Sequence, residues 1–162
     1  MKLVVFSDVH GEEGIINHIL DANKDADYVI SLGDSEVEQE FLVRNDIVMI
    51  KGNYRHDQGF VYEHDLVIDG IKIFMIHGHK HGVSHGLDKL AKFGITNGYD
   101  IILYGHTHIV DQRKIGGIQF LNPGSCARPR NTLPPTYMIL EIENQEIKWI
   151  FKDSLSNSTI EV

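Results

Sequence analysis

Cysteine is nearly missing from this 162-residue chain, where Cys126 stands alone. No intramolecular disulfide and no thiolate zinc knuckle can be built from it. A single thiol in a reducing compartment reads as inert packing. Long apolar runs are missing too: none approaches the ~18 residues that a bilayer-spanning helix needs. The N-terminal run Leu3-Val4-Val5-Phe6 is too short for a signal peptide and meets charge at Asp8. The expectation is a cytoplasmic protein with no membrane partner. Positive charge is in deficit, 15 Lys and Arg against 23 Asp and Glu, for a net charge of −8. That argues against long nucleic acids, whose binding depends on neutralising many backbone phosphates. A small phosphorylated substrate stays allowed, because bound divalent ions reverse the local field. Low-complexity tracts, linkers and internal repeats are absent, so one domain spanning 1–162 is expected, with homo-oligomerisation left open.

What is there is a series of short apolar runs, each the length of a strand. They lie at 3–7, 28–32, 47–51, 66–69, 71–76, 101–104, 118–121, 137–142 and 147–151. Helical patterns lie between the early ones. Ile15, Ile16, Ile19 and Leu20 share one face, as do Val37, Phe41 and the buried stem of Arg44. A third helix is expected over 84–93, with Leu87, Leu90 and Ala91 inward. The first half therefore reads β-α-β-α-β, which implies right-handed crossovers and a parallel sheet. In the second half Asp69-Gly70, Gly116-Gly117 and Asn144-Gln145 fall where hairpin turns belong. The mixture predicts an α/β fold of two packed sheets with helices outside.

The polar residues gather where strands end. Strand one ends in Asp8-Val9-His10-Gly11, strand two in Gly33-Asp34 and strand three in Gly52-Asn53. The run at 71–76 ends in His77-Gly78-His79, and that at 101–104 in Gly105-His106-Thr107-His108. Ligands of open α/β sheets bind at the carboxyl ends of strands. Imidazole nitrogen with carboxylate and amide oxygen suits Mn, Fe, Zn, Co or Ni. Asp8, His10, Asp34, Asn53, His77, His106 and His108 are too many ligands for one tetrahedral zinc, and suit two metals sharing a carboxylate. Extended backbone in Asp8-x-His10 and His106-x-His108 would put both members of each pair on one face. Any single Gly-Asp or Gly-Asn pair is an ordinary turn signal; the ordered set of five is what carries weight.

These five blocks resemble those of the calcineurin-like metallophosphoesterases, and above all the small single-domain phosphodiesterases of bacteria and archaea. Asn122-Pro123-Gly124-Ser125, followed by Arg128-Pro129-Arg130, matches a further block of that branch. The resemblance covers essentially the whole chain. It implies a four-layer α/β/β/α sandwich of two mixed sheets with a dinuclear centre. Asp8, His10, Asp34 and His108 would hold one ion. Asp34 would bridge to a second, completed by Asn53, His77 and His106. Two divalent ions, manganese first, would then turn a bridging water into the hydroxide that attacks phosphorus in line. Ser125 and Cys126 receive no catalytic role. A protein-interaction scaffold, as in the retromer subunit of this fold, and a metal-dependent nucleotide-binding module are the alternatives.

The sequence departs from the family at Gly52-Asn53-Tyr54-Arg55-His56-Asp57. Many relatives follow the asparagine with a histidine that protonates the leaving group, whereas the small branch carries Cys-Asp. With Tyr54 there, His79 or His56 is the candidate general acid, and Arg55, Arg128 and Arg130 are candidate contacts for an anionic substrate. His81 and His85 make the loop after His77 rich in imidazole, while His18 and His64 are read as structural.

Overall fold

The computed structural model describes residues 1–56 and 59–162; Asp57 of the altered run lies outside them. Three parallel strands open the chain, β1 (Lys2–Phe6), β2 (Tyr28–Ser31) and β3 (Ile47–Met49), joined through α1 (Glu13–Ala22) and α2 (Gln39–Arg44). An antiparallel hairpin follows, β4 (Glu63–Ile68) and β5 (Ile71–Ile76), then α3 (Asp88–Asn97) and β6 (Ile101–Tyr104). The rest is β7 (Val110–Asp111), β8 (Lys114–Ile115), β9 (Ile118–Pro123), β10 (Thr136–Glu143), β11 (Glu146–Asp153) and β12 (Thr159–Ile160). Two mixed sheets result. One has the order β12-β11-β10-β1-β2-β3, the other β4-β5-β6-β9-β7, with β8 also on β9.

Side-chain alternation along the strands builds the layers. Leu3, Val5, Ile73, Met75, Ile101, Leu103, Met138 and Leu140 point between the sheets and form the central core. Val4, Phe6, Tyr137 and Ile139 point the other way, onto Ile16 and Ile19 of α1 and Phe41 and Leu42 of α2. Phe74, Ile76, Ile102, Tyr104 and Phe120 meet Leu87, Leu90 and Ala91 on and before α3. Helices, sheet, sheet and helix make the four layers.

All three expected hairpin turns form, and both central residues of each have positive φ, as in Asp69 (49°) and Gly70 (82°). Two expectations need correction, and three short strands were not foreseen. The helix predicted over 84–93 begins only at Asp88, because Gly86 stands at φ 125°, which no right-handed helix tolerates; residues Val83–His85 form a separate 3-10 turn. Arg44 is exposed rather than stem-buried, its guanidinium 5.9 Å from the Phe41 ring centroid on the outside. The two-residue strands β7, β8 and β12 are too short to leave a periodic signal.

Parallel strands β1, β2 and β3 of one sheet and β5 and β6 of the other end at the same edge. Backbone bonds tie those ends together: Asp8 N–H donates to Gly33 O (3.1 Å), His10 N–H to Asp34 O (3.1 Å) and Gly105 N–H to His77 O (3.0 Å).

Candidate metal centre

All seven expected donors stand at this edge, but His106 joins neither of the two close clusters formed there. His10 Nε2 and His108 Nε2 face each other at 3.2 Å, and His108 Nε2 is 3.2 Å from Asp8 Oδ1. His77 Nε2 lies 3.1 Å from Asn53 Oδ1, 3.4 Å from Asp34 Oδ2 and 4.0 Å from Asp8 Oδ1. The His106 ring centroid is 5.1 Å from that of His77. Two clusters have ligand atoms close enough to share an ion: Asp8, His10 and His108, and Asp8, Asp34 and His77. Asp8 is the carboxylate common to both, whereas the family resemblance gives that place to Asp34.

The extended backbone expected across the two His-containing pairs is not what brings them together. Asp8 (φ 56°), His10 (51°), Asp34 (50°), His106 (68°) and His108 (60°) are all left-handed. Asp and His enter that region more readily than most residues, and such conformations gather at functional sites. Small residues close the remaining gaps. A Cβ on Gly52 would collide with the Asp34 carboxylate, and one on Gly105 would collide with Ser7 Oγ and stand 3.1 Å from Asp8 Oδ2.

The outer nitrogens are committed before any cation arrives. His10 Nδ1 donates to Glu36 Oε1 (2.6 Å), His77 Nδ1 to Leu32 O (2.8 Å) and His108 Nδ1 to Arg128 O (2.7 Å). A proton on Nδ1 leaves the Nε2 lone pair inward, the tautomer that a metal ligand needs. Asp8 Oδ1 is buried without a hydrogen-bond partner among the described residues. Buried polar atoms are rarely left so, and a cation held here would satisfy this one. The donor set fits divalent cations.

The electrostatics of the bare site follow from this crowding. Burial pushes the Asp34 carboxyl up, but the hydrogen bond and charge of His77 with the Tyr54 N–H outweigh it and hold it down at about 2. Burial lowers His77, yet Asp34 and Asp8 raise it above an ordinary imidazole; Asp8 does the same for His108. His106 goes down, through burial and then the His77 charge.

The tentative residues separate by position. His79 sits at the centre's edge, 5.4 Å from His77 and 6.1 Å from His106 between ring centroids. Burial, then the charges of His77 and His106, push it down to about 4. His56 is exposed, accepts from Arg55 Nε (3.3 Å) and has its ring 5.3 Å from, and tilted 60° to, that of Tyr54, whose N–H donates to Asp34 Oδ1 (2.9 Å). Arg128 Nη2 donates to His10 O (3.5 Å), and Arg130 N–H to His108 O (3.1 Å). Arg55 therefore lies on the Tyr54 side and the other two arginines on the His108 side. His18 is exposed and bonds Asn157 (2.8 Å), and His64 is exposed on β4. Cys126 is fully buried and its thiol is pushed far up by burial, which matches the inert reading.

Three supporting roles are not assigned from the sequence, although Asn122 and Ser125 are already marked there as part of a family block. Glu36 orients His10; its place two positions after Asp34 was the available signal, indistinguishable from a surface acid. Asn122 Nδ2 donates to Gly105 O (3.0 Å) and Thr107 Oγ1 (3.1 Å), which pins the loop carrying both imidazoles. Ser125 Oγ donates to Asp8 O (2.7 Å) and accepts from Arg128 N–H (2.7 Å). The Asn-Pro-Gly-Ser block thus holds the donors in place and leaves its own hydroxyl occupied.

The model of the calcineurin-like phosphoesterase superfamily domain matches residues 1–145. The probable metallophosphoesterase YsnB of Bacillus subtilis is 32% identical over 158 residues, covering 97% of this chain and 94% of its own. A crystal structure of a predicted phosphoesterase from Streptococcus pneumoniae superposes with a TM-score of 0.85 at 30% identity, covering 94% of this chain and 89% of that one. Vps29 of Entamoeba histolytica, crystallised with zinc, gives 0.80 at 24% identity, covering 99% and 96%, and shares the fold.

Proposed function

The chain belongs to the calcineurin-like phosphoesterase superfamily, and from that premise we propose a metal-dependent phosphoric ester hydrolase, most of all a phosphodiesterase for small esters. The observation that carries the reading is the convergence of Asp8, His10, Asp34, His77 and His108, with Asn53 and His106 beside His77 and three imidazoles already held by their outer nitrogens. Two divalent ions suit so many donors. Asp8, His10, Asp34 and His108 would hold one, and Asp34, Asn53, His77 and His106 the other, with Asp8 a second candidate for the bridge. Mixed nitrogen and oxygen donors favour manganese, with iron, zinc, cobalt and nickel as substitutes. Such ions, when bound, supply acidification of a water and positive charge against the phosphoryl oxygens.

The protein's own contribution is orientation and charge. The acceptors on Nδ1 fix each ring, so little rearrangement is needed on binding. Arg128 and Arg130 beside His108, and Arg55 beyond Tyr54, offer cationic contacts to an anionic ester. His79, on the His77–His106 side, is the nearer candidate for proton transfer to the leaving oxygen, but held at about 4 it is unprotonated near neutral pH and would have to pass on a proton taken from water; His56 is the alternative. A tyrosine hydroxyl gives up its proton reluctantly, so Tyr54 leaves aryl esters as better substrates than alkyl esters. We read 1–162 as one such domain working in the cytoplasm; no helix among the described residues is long and apolar enough to cross a membrane.

Bis-p-nitrophenyl phosphate with the manganese-loaded protein tests this. Turnover is expected, a chelator should abolish it, and added metal should restore it. A loaded protein that cleaves no mono- or diester would point instead to the scaffold or nucleotide-binding role.

A further inference from the structure

The chain is acidic, with net charge −8, and besides the three arginines two lysines stand together near the centre, where Glu63 pairs with His81 (3.1 Å). Lys2, Lys24 and Lys148 each meet a carboxylate. Lys51 and Lys80 meet none among the described residues. Both ammonium groups instead approach one exposed ring, Tyr62, at 3.2 Å (Lys80) and 5.4 Å (Lys51) from its centroid. The ring face attracts each cation, and an anion that met both ammonium groups would gain from both charges.

The fold places this group deliberately close to the centre. Lys51 N–H donates to Val61 O (2.7 Å) and Ile50 pairs in parallel with Val61, which pins Tyr62 beside the end of β3. Lys51 precedes the donor Asn53 by two positions. Lys80 lies in the 3-10 turn His79–His81, three positions after the donor His77. The Tyr62 ring centroid is 5.8 Å from that of His79, which is itself 5.4 Å from His77. Beyond Lys80 a cavity of about 410 Å³ continues, lined by His81, His85 and Lys89, with Asp88 the one carboxylate among its described lining residues.

Around Tyr54 and His10 the charges are mixed: Glu36 holds His10 and Glu38 lines a cavity of about 270 Å³ with Tyr54, His56 and Phe60, but Arg55 lies beside His56 and Arg128 beside His10. A second phosphate that reached Lys51 and Lys80 would meet two ammonium groups at once.

We propose that Lys51, Tyr62 and Lys80 form a subsite for a second phosphate on the substrate, so that the preferred substrates are phosphodiesters with one arm that is itself phosphorylated. The subsite rests on the hydrolase reading for its purpose, but its binding can be measured without turnover. Titration calorimetry on the metal-loaded full chain would compare thymidine 3′,5′-bisphosphate with thymidine 5′-phosphate. The bisphosphate should bind about tenfold more tightly, two charge-assisted contacts being ample for that factor. The Lys51→Ala/Lys80→Ala double variant should lose the preference, as should wild type at high salt. Lys72→Ala, which removes a comparable lysine over Tyr99, should keep it. The p-nitrophenyl ester of thymidine 5′-phosphate, with and without a 3′-phosphate, should show the same selectivity in kcat/KM. Equal affinity of wild type for both ligands, or an undiminished preference in the double variant, would overturn the subsite. A bisphosphate preference without any turnover would uphold the subsite while sinking the hydrolase reading.

Discussion

At the residue scale the centre depends on acceptors that never touch the reacting atoms. Glu36 is the clearest. Its own backbone is left-handed (φ 54°), a conformation that is uncommon for glutamate, and the side chain it aims lands 2.6 Å from His10 Nδ1. Losing such an outer partner costs metal sites about 10- to 100-fold in affinity. Glu36→Ala should therefore weaken manganese binding within that range, with Glu36→Gln intermediate because its amide oxygen still accepts. Competition against a fluorescent metal indicator reads this directly, and an affinity in Glu36→Ala equal to wild type would remove the positioning role. The identities and order of the donors were legible in the sequence, because Asp, Asn and His each follow a strand-like run. Their approach was not. Five of the seven rely on positive φ, and a left-handed Asp or His leaves no mark distinguishing it from an ordinary turn residue.

At the scale of elements, strands were legible because their apolar runs are buried on both faces, as Leu3, Val4, Val5 and Phe6 show. Helices were legible as faces but not as boundaries. Leu87 is buried as expected, yet Gly86 keeps it just outside α3. Within α3, Gly94 looks like a defect, since glycine costs a helix interior about 1 kcal/mol relative to alanine. The structure gives the reason: an added Cβ would lie 2.6 Å from Ile118 Cδ1 and 2.9 Å from Ile102 Cδ1. Gly94 lets the helix settle on the second sheet. Gly94→Ala gains the propensity but must displace two side-chain tips at once, and overpacking costs typically ~1–3 kcal/mol. A net loss of about 1 kcal/mol is expected, lowering Tm by ~2–4 °C. A Tm above wild type would mean that the sheet yields more readily than this packing implies.

At the scale of the whole molecule, two sheets each aim parallel strands at one edge, and the resulting density of ionisable groups couples stability to pH and to metal. Without metal, His77 and His108 titrate above the ordinary imidazole value of 6.5, while His106 titrates below it and His79 at about 4. Above about pH 6.5 the unfolded chain has released its imidazole protons but the folded one still holds those of His77 and His108, so stability falls as pH rises through their folded values. Below about pH 6.5 the unfolded chain binds protons that folded His79 and His106 refuse, so stability falls as pH drops. Asp34, held at about 2 against its ordinary 3.8, adds a further loss between those values. The stripped protein should therefore be most stable near pH 6.5. Metal changes the upper limb, because ions bind only unprotonated imidazole, and a ligand at free concentration L that binds the folded state stabilises it by RT ln(1 + L/Kd), which grows as the apparent Kd falls with rising pH. Saturating manganese should raise Tm little at pH 5 and strongly at pH 8, so the loaded protein keeps its stability where the stripped one loses it. Thermal melts at pH 3, 5, 6.5 and 8, with chelator or with manganese, measure both curves. A metal increment of the same size at pH 5 and pH 8 would mean that His77 and His108 do not have to lose protons to admit the ion, and would remove them from the ligand set.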